Sequence, residues 1–535
     1  MGSRRLVMTV RKLPIGIQNF ASLRNDGYLY VDKTAAVYRL AHEGRQYFLS
    51  RPRRFGKSLL LSTLRAYWEG RKELFSGLII EELEKAEPNA WIAHPVFYID
   101  FNRDNYRRSG ALEGVLEAHL KEWEKQFGCE DPTASQAIRF QNLLRSAHEK
   151  TGHRCVILVD EYDKPLLDVM DDPEQEESNK AVFKGFFSAL KSFDEFIKFV
   201  FITGVTKFSK VSIFSDINQL NDISLNEKYA EICGITGQEM LENFSPEISS
   251  LAESQNLTYK ECVDALRKMY DGYLFHQKGE KVYNPFSLLN AVSDRAFRSY
   301  WFETGTPSFL VKKLRVINFD VRRLSDQSIY ADDRTLTDFG ENNPNPIPLL
   351  YQTGYLTIIG YDSVTREYLL GFPNEEVKYG FLNSLMPEYI ENYSTGSGKD
   401  ITALRRLAER GDVDGIRDVF AALFASIPYT DSRTGFEHDF QTVIYLVFTL
   451  LGQYVHCEVH SANGRADCIL ETARYIYIFE FKRDGTAEEA LRQIEEKGYA
   501  LPYLSDVRKC YKIGAAFDSE KRTLKDWSVS DSHEV

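Results

Sequence analysis

The sequence predicts an α/β protein of several domains, with a parallel sheet in the N-terminal part, a mainly helical middle part and a smaller α/β unit near the C-terminus. Its 535 residues exceed what one core supports, and about 150 residues per domain gives three or four domains. Short apolar segments alternate with helix-like segments in the first half of the chain. The 30 Tyr and 35 Phe residues need buried or half-buried surroundings, which favours well-packed domains over a disordered chain.

Residues 10–240 form the first predicted region, a parallel-sheet domain. Its strand candidates are Tyr47–Ser50, Pro95–Phe101, Cys155–Asp160 and Ile197–Thr203. Helical segments such as Ser58–Trp68 and Gly110–Gln126 lie between them. This order predicts parallel strands whose carboxyl ends meet at one edge of the sheet, where ligands collect in such folds.

Three further regions follow this domain. Residues 241–330 are predicted to be helical and lid-like. Residues 331–425 contain a helix, a hairpin and a helix, an order compatible with a winged-helix-like module, and their polar stretch Asp332–Pro348 is predicted to be a linker or flexible loop. Residues 426–525 are predicted to form the smaller α/β unit, with a frayed tail after Trp527.

Charge and cysteine content narrow the class of protein. The net charge of −12 does not indicate nucleic-acid binding, although local patches of charge decide such binding. One candidate patch is the basic stretch from Arg4 to Lys72, which either meets phosphates or balances acidic neighbours. The seven scattered cysteines include no CxxC pair, so they indicate reduced thiols and no zinc ribbon. We see no signal peptide and no run of about 20 apolar residues, and we expect a soluble, cytoplasmic protein without membrane contact.

The segment Tyr47–Leu61 (YFLSRPRRFGKSLLL) has the order of a phosphate-binding loop: a buried strand, a loop, Gly-Lys-Ser and an apolar helix. Such a loop needs backbone N–H groups that converge on phosphate at a helix N-terminus, and Gly56 permits close approach of the backbone. Lys57 would reach the β- and γ-phosphates of ATP, and Ser58 would ligate Mg²⁺.

The same loop departs from the usual GxxxxGK[ST] pattern. Arg51 occupies the position of the first glycine, and the loop is basic and stiffened by a proline. Arg53, Arg54 and Phe55 complete the predicted nucleotide-binding segment, in which the arginines contact the phosphates of their own subunit.

The segment Cys155–Asp163 (CVILVDEYD) is an apolar strand that ends in an acidic pair. Asp160 would hold the Mg²⁺ that neutralises phosphate charge, and Glu161 would polarise the attacking water as a general base. Because both segments lie in order at carboxyl ends of strands, they predict an ATP site. Thr203 and Thr206, after the next strand, are candidates for sensing the γ-phosphate, with a capping role as the alternative.

A second group of carboxylates lies near the C-terminus. Glu480 and Lys482 are two residues apart on a predicted strand and project from the same face, and a hairpin would bring Asp467 beside Glu480. Two carboxylates and a lysine suit a Mg²⁺ site that activates water, and Glu437 in the preceding helix would supply a third carboxylate.

Two pairs of residues flank this group. Gln493 and Tyr499 lie on a following predicted helix, Ala487–Ala500, where they would orient Lys482 or the substrate. His456 and His460 lie four residues apart on a strand, roughly 13 Å from each other, so structural roles are favoured over a metal pair.

These segments resemble a known family. SRPRRFGKS, VDEYDKP and TGVTKFSKVSIFSDINQLNDIS resemble the bacterial AAA-ATPase-like domain proteins, which are similar to archaeal-type and STAND-related P-loop ATPases. The phrases YVDKT, YDGYLF, YNPFSLL and WFETGTPSFL also match this family, whose own loop is similarly rich in Arg. The C-terminal GRAD, EFK, Q and KGYA pattern resembles the PD-(D/E)XK nuclease superfamily, with Ala466 in place of the proline.

The resemblance covers nearly the whole chain and implies two sets of roles. The residues implied to bind ATP and Mg²⁺ are Lys57, Ser58, Asp160 and Glu161. The residues implied to form the nuclease core are Asp467, Glu480, Lys482 and the helix ligand Glu437.

The leading functional hypothesis is an ATP-binding and ATP-hydrolysing protein coupled to a Mg²⁺-dependent nuclease-like domain that acts on nucleic acid, with DNA favoured. A role in defence or mobile-element biology is an analogy. The alternative is a nucleotide-dependent regulatory switch or scaffold with an inactive nuclease-like binding module, and a third option is an NTPase that acts on protein partners. A homo-oligomer is also considered, because AAA-type hydrolysis often uses an arginine from a neighbouring subunit.

Overall fold

The structure, a computed structural model, divides into two compact units. The first unit comprises Met1–Trp301 and Tyr330–Glu376, and the second comprises Phe302–Ile329 and Val377–Val535. The described residues are 11–128, 133–208, 220–303, 310–311, 314–315, 317, 319–324, 328–337, 345–390, 399–427, 433–452, 456–459, 467–521 and 523–531.

The first unit contains a five-stranded parallel sheet. Its strands are β1 (Gln46–Ser50), β2 (Val96–Asp100), β3 (Cys155–Asp160), β4 (Ile197–Gly204) and β5 (Asn221–Asp222). They lie in the order β2-β3-β4-β1-β5. Every residue of β3 is buried, as expected for a strand covered by helices on both faces, and the four strands predicted from the sequence are confirmed.

Helices and 3₁₀ turns connect and cover this sheet. The helices are Phe20–Asn25, Thr34–Glu43, Lys57–Trp68, Ile79–Leu83, Ala111–Phe127, Gln136–Thr151, Lys164–Leu167 and Pro173–Ser192. The 3₁₀ turns are Lys72–Phe75, Glu84–Ala86, Asp194–Phe196 and Glu227–Tyr229. Many helices begin at a side chain that accepts from the first turn, such as Ser135, which accepts from the backbone N–H of Ile138.

The rest of the first unit is helical with short antiparallel pairings. Its helices are Gly237–Gln255, Tyr259–Tyr270, Pro285–Asp294, Asp333–Thr337, Ile347–Gln352 and Tyr300–Glu303, the last of which ends in the second unit. Its strands are β6 (Ile235–Thr236), paired with β7 (Val282–Tyr283), and β8 (Ile329–Ala331), β9 (Thr357–Asp362) and β10 (Glu367–Gly371), in the order β8-β10-β9; the first residue of β8 belongs to the second unit. The predicted helix, hairpin and helix of this part are present.

The stretch predicted as a linker is partly ordered. Asp333–Thr337 is a helix, and Leu336 within it is fully buried. The carbonyl oxygen of Leu336 accepts from the Nε2 of Gln352 at 2.7 Å. A polar composition therefore misled the prediction for these residues, because one buried leucine and one carbonyl anchor the segment; residues 338–344 lie outside the described part.

The second unit is built on a mixed five-stranded sheet. Its strands are β11 (His456–Val459), β12 (Cys468–Glu471), β13 (Tyr475–Arg483), β14 (Lys509–Asp518) and β15 (Thr523–Asp531), in that order. The β13–β14 pair is parallel and the other pairs are antiparallel. The helices are Glu375–Tyr389, which begins in the first unit, Lys399–Arg410, Val413–Ala425, Arg433–Leu451 and Ala487–Glu496, with 3₁₀ turns at Val321–Leu324 and Leu501–Tyr503.

Aromatic side chains form the centre of the second unit. The ring of Phe420 lies 5.3 Å from that of Phe448 and 6.2 Å from that of Phe479. The hydroxyl of Tyr477 donates to the carbonyl of Ala408 at 2.6 Å, so the helices before residue 426 pack on this sheet. The region boundaries given above remain predictions.

The tail after Trp527 is not frayed up to Asp531, which corrects the prediction. Strand β15 continues to Asp531, where the residue pairs with Tyr511 of β14 and its carboxylate forms an ion pair with Lys509 at 2.7 Å. Pairing of the backbone holds this polar segment in the sheet. Within the described part of the chain, no helix has the length and apolar character needed to span a bilayer.

Candidate functional site

The phosphate-binding loop runs from the end of β1 to the helix that begins at Lys57. Gly56 has φ +91°, and a Cβ built there would meet no atom within 4 Å. The backbone conformation, and not lack of space, therefore favours glycine at this position. Arg54, two residues earlier, also has a positive φ of 68°.

Lys57 is held within this loop. Its ammonium donates to the carbonyl oxygens of Arg51 at 3.0 Å and Pro52 at 3.2 Å, and the residue is 5% exposed. These partners are neutral, so they satisfy the N–H donors without cancelling the charge. A buried cation of this kind suits the binding of an anion at the helix N-terminus.

Arg51, at the position of the usual first glycine, is 1% exposed. Its guanidinium donates to the carbonyl oxygens of Ser224 at 2.8 Å and Tyr229 at 3.1 Å, and it lies 3.9 Å from the centre of the Phe275 ring. The side chain anchors the loop to the segment after β5. This anchoring explains how an arginine replaces the glycine without filling the phosphate site.

The other predicted loop residues differ in their surroundings. Arg53 and Arg54 are exposed, and the guanidinium of Arg54 lies 4.8 Å from the centre of the Phe286 ring. Phe55 is buried, with its ring 4.7 Å from that of Tyr273. Exposed arginines beside Gly56 remain available to an anion, whereas the Phe55 ring supports the loop from behind.

Asp160, at the end of β3, joins the two predicted halves of the nucleotide site. It is 3% exposed, its Oδ2 accepts from the Tyr98 hydroxyl at 3.2 Å, and it lines a cavity together with Ser58. Burial raises the pKa of Asp160 to about 6, and the neighbouring Ser58 hydroxyl and the charge of Lys57 oppose that rise. Burial destabilises the ionised form of this carboxylate, and a nearby cation would stabilise that form.

Glu161 follows in the left-handed region, with φ +49°, which is unusual for a non-glycine residue. It lines a cavity of about 340 Å³ together with Asp160 and Ser58. Further residues around this cavity are Arg65, Tyr98, Asp100 and Asn102. A candidate general base therefore lies at the edge of a space large enough for water and phosphate groups.

Thr203 and Thr206 have structural partners. Thr203 is fully buried, and its hydroxyl donates to the carbonyl of Leu49 at 2.8 Å. Asp163 Oδ2 accepts from the Thr206 hydroxyl at 2.8 Å and from the backbone N–H groups of Thr206 and Val205 at 2.6 and 3.0 Å. The hydroxyl of each threonine is thus engaged in a hydrogen bond within the fold, and for Thr206 it is the Asp163 carboxylate that accepts the backbone N–H groups; a phosphate-sensing or capping role for either threonine remains a prediction.

The C-terminal carboxylates meet on neighbouring strands. Asp467, directly before β12, accepts from the backbone N–H of Phe481 at 2.8 Å, and Glu480 lies one residue earlier in β13. Burial raises the pKa of Asp467, and burial together with the charge of Asp467 raises the pKa of Glu480. The predicted juxtaposition of these two carboxylates is present.

A hydrogen-bonded network surrounds Glu480, which is 3% exposed. The Lys482 ammonium donates to Glu480 Oε1 at 2.8 Å and to Gln493 Oε1 at 2.5 Å. The Gln493 amide donates to Glu480 Oε1 and, at 3.5 Å, to the Tyr499 hydroxyl. Gln493 thus contacts both the lysine and the carboxylate, and the contact with Lys482 is the one that its predicted orienting role requires.

Comparisons with known proteins agree with both halves of this description. Residues 14–214 match the AAA-ATPase-like family model, described as predicted AAA-ATPase, and residues 435–527 match a PD-(D/E)XK nuclease superfamily model. The chain is 36% identical over 526 residues to an uncharacterized protein in the vnfD 5′ region of Azotobacter chroococcum mcd 1, covering 97% of this chain and 98% of that protein. The chain belongs to the AAA-ATPase-like family.

A solved structure similar to this AAA-ATPase-like protein is the Aeropyrum pernix ORC2 protein, in ADPNP-ADP complexes. The two chains are 9% identical, with a TM-score of 0.22 over 66% of this chain and 92% of that one.

The residues of this AAA-ATPase-like protein fit a divalent cation at both places. Glu480 Oε2 is buried and has no hydrogen-bond partner within the described ranges, so a cation beside Asp467 would satisfy it. At the other place, Asp160 and the Ser58 hydroxyl offer two oxygens. Mg²⁺ usually takes one or two protein carboxylates and completes its shell with water and phosphate oxygens.

A third protein ligand is not found in the part of the chain that the structure covers. No group of three His, Cys, Asp or Glu side chains converges there. Glu437 lies in the helix Arg433–Leu451, but its side chain is outside the described part, as are the side chain of His456 and all of His460. The helix ligand therefore remains a prediction.

Some residues of the site were missed from the sequence. Tyr98 and Asp100 lie at the carboxyl end of β2, in register with the end of β3, where Asp100 pairs with Asp160. The signal was available, because β2 was predicted and its carboxyl end must reach the ligand edge of a parallel sheet. Arg65 was not foreseeable, because its place depends on which face of a helix meets the cavity.

Proposed function

We propose that this protein binds and hydrolyses ATP and that its C-terminal domain cleaves phosphodiester bonds in nucleic acid, DNA in particular, with Mg²⁺ in both reactions. The observation that supports this most strongly is that acidic and polar side chains meet at strand ends in both domains. Ser58 and Asp160 line the same cavity at one site, and Asp467 lies beside Glu480 at the other. The membership of the two matched families agrees with these chemistries.

In the ATPase reaction, the backbone of the phosphate-binding loop and the Lys57 ammonium would bind the β- and γ-phosphates. Ser58 and Asp160 would hold Mg²⁺. Glu161, which borders the cavity, would accept a proton from the attacking water. Bound at either site, Mg²⁺ supplies charge neutralisation for phosphate and lowers the pKa of a coordinated water.

In the nuclease reaction, Asp467 and Glu480 would hold the metal ion. The Lys482 ammonium, fixed by Gln493, would orient the attacking water or stabilise the extra negative charge on phosphorus in the transition state. Lys482 bonds to the same Glu480 oxygen as Gln493 does, which leaves Oε2 for the metal. This division of the two oxygens suits simultaneous binding of a cation and of a lysine.

Further aspects of the proposal concern the setting of these reactions. We place the ATPase at residues 10–240, the lid-like region at 241–330, the winged-helix-like region at 331–425 and the nuclease-like domain at 426–525. We also expect a cytoplasmic protein that acts without a membrane and forms homo-oligomers. Defence or mobile-element biology is the setting we propose, by analogy.

The test is cleavage of plasmid and single-stranded DNA by the full chain with Mg²⁺, with and without ATP. We compare the unaltered protein with Lys57→Ala and Lys482→Ala, and with the exposed controls Lys72→Ala and Lys521→Ala. Loss of cleavage in Lys482→Ala and altered ATP dependence in Lys57→Ala, with unchanged controls, would support the proposal.

A different result would favour the alternative function. If the protein hydrolyses ATP but cuts neither DNA nor RNA with any nucleotide, the C-terminal carboxylates belong to a binding module and the protein acts as a nucleotide-dependent switch. Salt-dependent binding of uncut DNA would then identify its ligand, because phosphate contacts release counterions.

A further inference from the structure

The phosphate-binding loop is contacted by residues that lie far from it in the sequence. The indole Nε1 of Trp301 donates to the carbonyl oxygen of Arg53 at 3.1 Å. Trp301 is largely buried, and its ring lies 5.3 Å from that of Tyr355. The Arg53 carbonyl, within the phosphate-binding loop, is therefore hydrogen-bonded to a side chain that lies 248 residues later in the sequence.

The same part of the first unit supports the loop at two further points. A Cβ at Gly354, which has φ +90°, would lie 2.7 Å from the Cβ of Pro52. The ring of Phe55 packs edge-on against Tyr273. Pro52, Arg53 and Phe55 are thus all held from behind, so the loop cannot shift when phosphates bind without moving these neighbours.

Trp301 is also tied to the second place where the chain leaves the first unit. Glu376 is buried, its Oε1 accepts from the backbone N–H of Trp301 at 2.7 Å, and its Oε2 accepts from the Ser287 hydroxyl at 2.7 Å. The chain passes into the second unit directly after Trp301 and directly after Glu376. One hydrogen bond therefore joins the two points where the chain leaves the first unit, Trp301 and Glu376. Trp301 is also hydrogen-bonded to the phosphate-binding loop.

We propose that Trp301 is a positioning residue of the phosphate-binding loop, and that Trp301 and Glu376 transmit nucleotide-dependent movement of the loop to the two connections that lead into the second unit. This inference rests on the proposed ATP binding. The Arg53 carbonyl moves when the loop closes on phosphate, and the indole N–H follows because a buried donor without an acceptor is unfavourable. The backbone of Trp301 then acts on Glu376.

The test uses Trp301→Phe, which keeps an aromatic ring and removes the N–H donor. Trp123→Phe is the matched control, since Trp123 is also a buried tryptophan of the first unit but packs against Phe97. A fluorescent ATP analogue reports affinity, and hydrogen–deuterium exchange with and without ATP reports the segments 287–303 and 371–390. We expect a roughly 3- to 10-fold weaker affinity in Trp301→Phe, and loss of the ATP-induced change at 371–390.

The outcomes separate the two proposals. If the unaltered protein fails to bind the ATP analogue, the proposed ATP binding is wrong and the inference falls with it. If it binds but Trp301→Phe keeps both the affinity and the exchange change of the control, the inference alone is overturned. Should Trp301→Phe not fold, Glu376→Gln is measured instead: near-normal affinity with a reduced ATP-induced change at 371–390 supports the inference, and an unreduced change overturns it.

Discussion

Replacing Asp160 with Asn should stabilise the protein at neutral pH while removing a residue proposed to hold Mg²⁺. Asp160 is nearly fully buried, and its pKa rises from 3.8 to about 6. Between those values the native state holds a proton that the unfolded chain releases, so unfolding becomes easier as the pH rises through this window. At about 1.4 kcal/mol per pH unit, the ionised carboxylate costs at most about 3 kcal/mol at pH 7.5.

Asn keeps the shape and has no charge to desolvate. We therefore expect little difference between Asp160→Asn and the unaltered protein at pH 4, and a difference that grows to pH 7 and is constant above it. For a unit of this size, about 3 kcal/mol corresponds to a rise in Tm of roughly 4 °C. The half-exposed Asp171 serves as the control, as Asp171→Asn.

The assay is thermal unfolding of the full chain from pH 4 to 8, without and with ATP and Mg²⁺. Nucleotide and metal should raise the Tm of the unaltered protein and leave Asp160→Asn nearly unchanged, because ligand binding stabilises the native state by mass action. A Tm for Asp160→Asn that is equal or lower at pH 7.5, or a difference that does not vary with pH, would refute the reasoning.

Three other predictions follow from the described contacts. Arg51→Gly, which restores the usual loop pattern, should destabilise the protein by about 3 kcal/mol or more in urea unfolding, because it removes buried hydrogen bonds to carbonyls. The control Arg53→Gly should lower the free energy of unfolding by about 1 kcal/mol or less. The cleavage rate should fall as the pH falls, because the raised pKa values of Asp467 and Glu480 favour protonated carboxyls that cannot bind Mg²⁺. In a pH–rate profile, a higher Mg²⁺ concentration should move this fall to lower pH, and a pH-independent rate would contradict the prediction. Deletion of residues 528–535 should lower the Tm of the second unit by several degrees through loss of pairing with β14, and an unchanged Tm would show that this pairing contributes little.

The elements that sequence reasoning located best are those whose pattern is local. Cys155–Asp160 is an uninterrupted apolar run that ends in a charge, and the structure gives the strand the same bounds. The position of Asp467 beside Glu480 also followed from short-range logic, since a hairpin and the alternation of side chains determine it.

What could not be predicted depends on partners distant in sequence. Nothing near Arg51 indicates that its guanidinium reaches Ser224, and nothing near Trp301 indicates the Arg53 carbonyl. Strand β14 comes after a helix and several turns, and no hairpin signal precedes it. The polar sequence of β15 looks like an unstructured terminal segment, and its strand character shows only in its pairing with β14. Charge and polarity describe single residues, whereas these contacts depend on the closed fold.

The discontinuity of the first unit has a practical consequence for anyone who wishes to express the ATPase alone. A fragment that stops at residue 240, or even at Glu303, would lack Gly354 and Tyr355, and its phosphate loop would lose packing that surrounds Pro52 and Trp301. Weak nucleotide binding by such a fragment would then reflect an unsupported loop and not the chemistry of the site. A shorter protein suited to crystallisation or screening should keep Met1–Trp301 and Tyr330–Glu376 together, with a designed peptide bridge in place of the excursion between them.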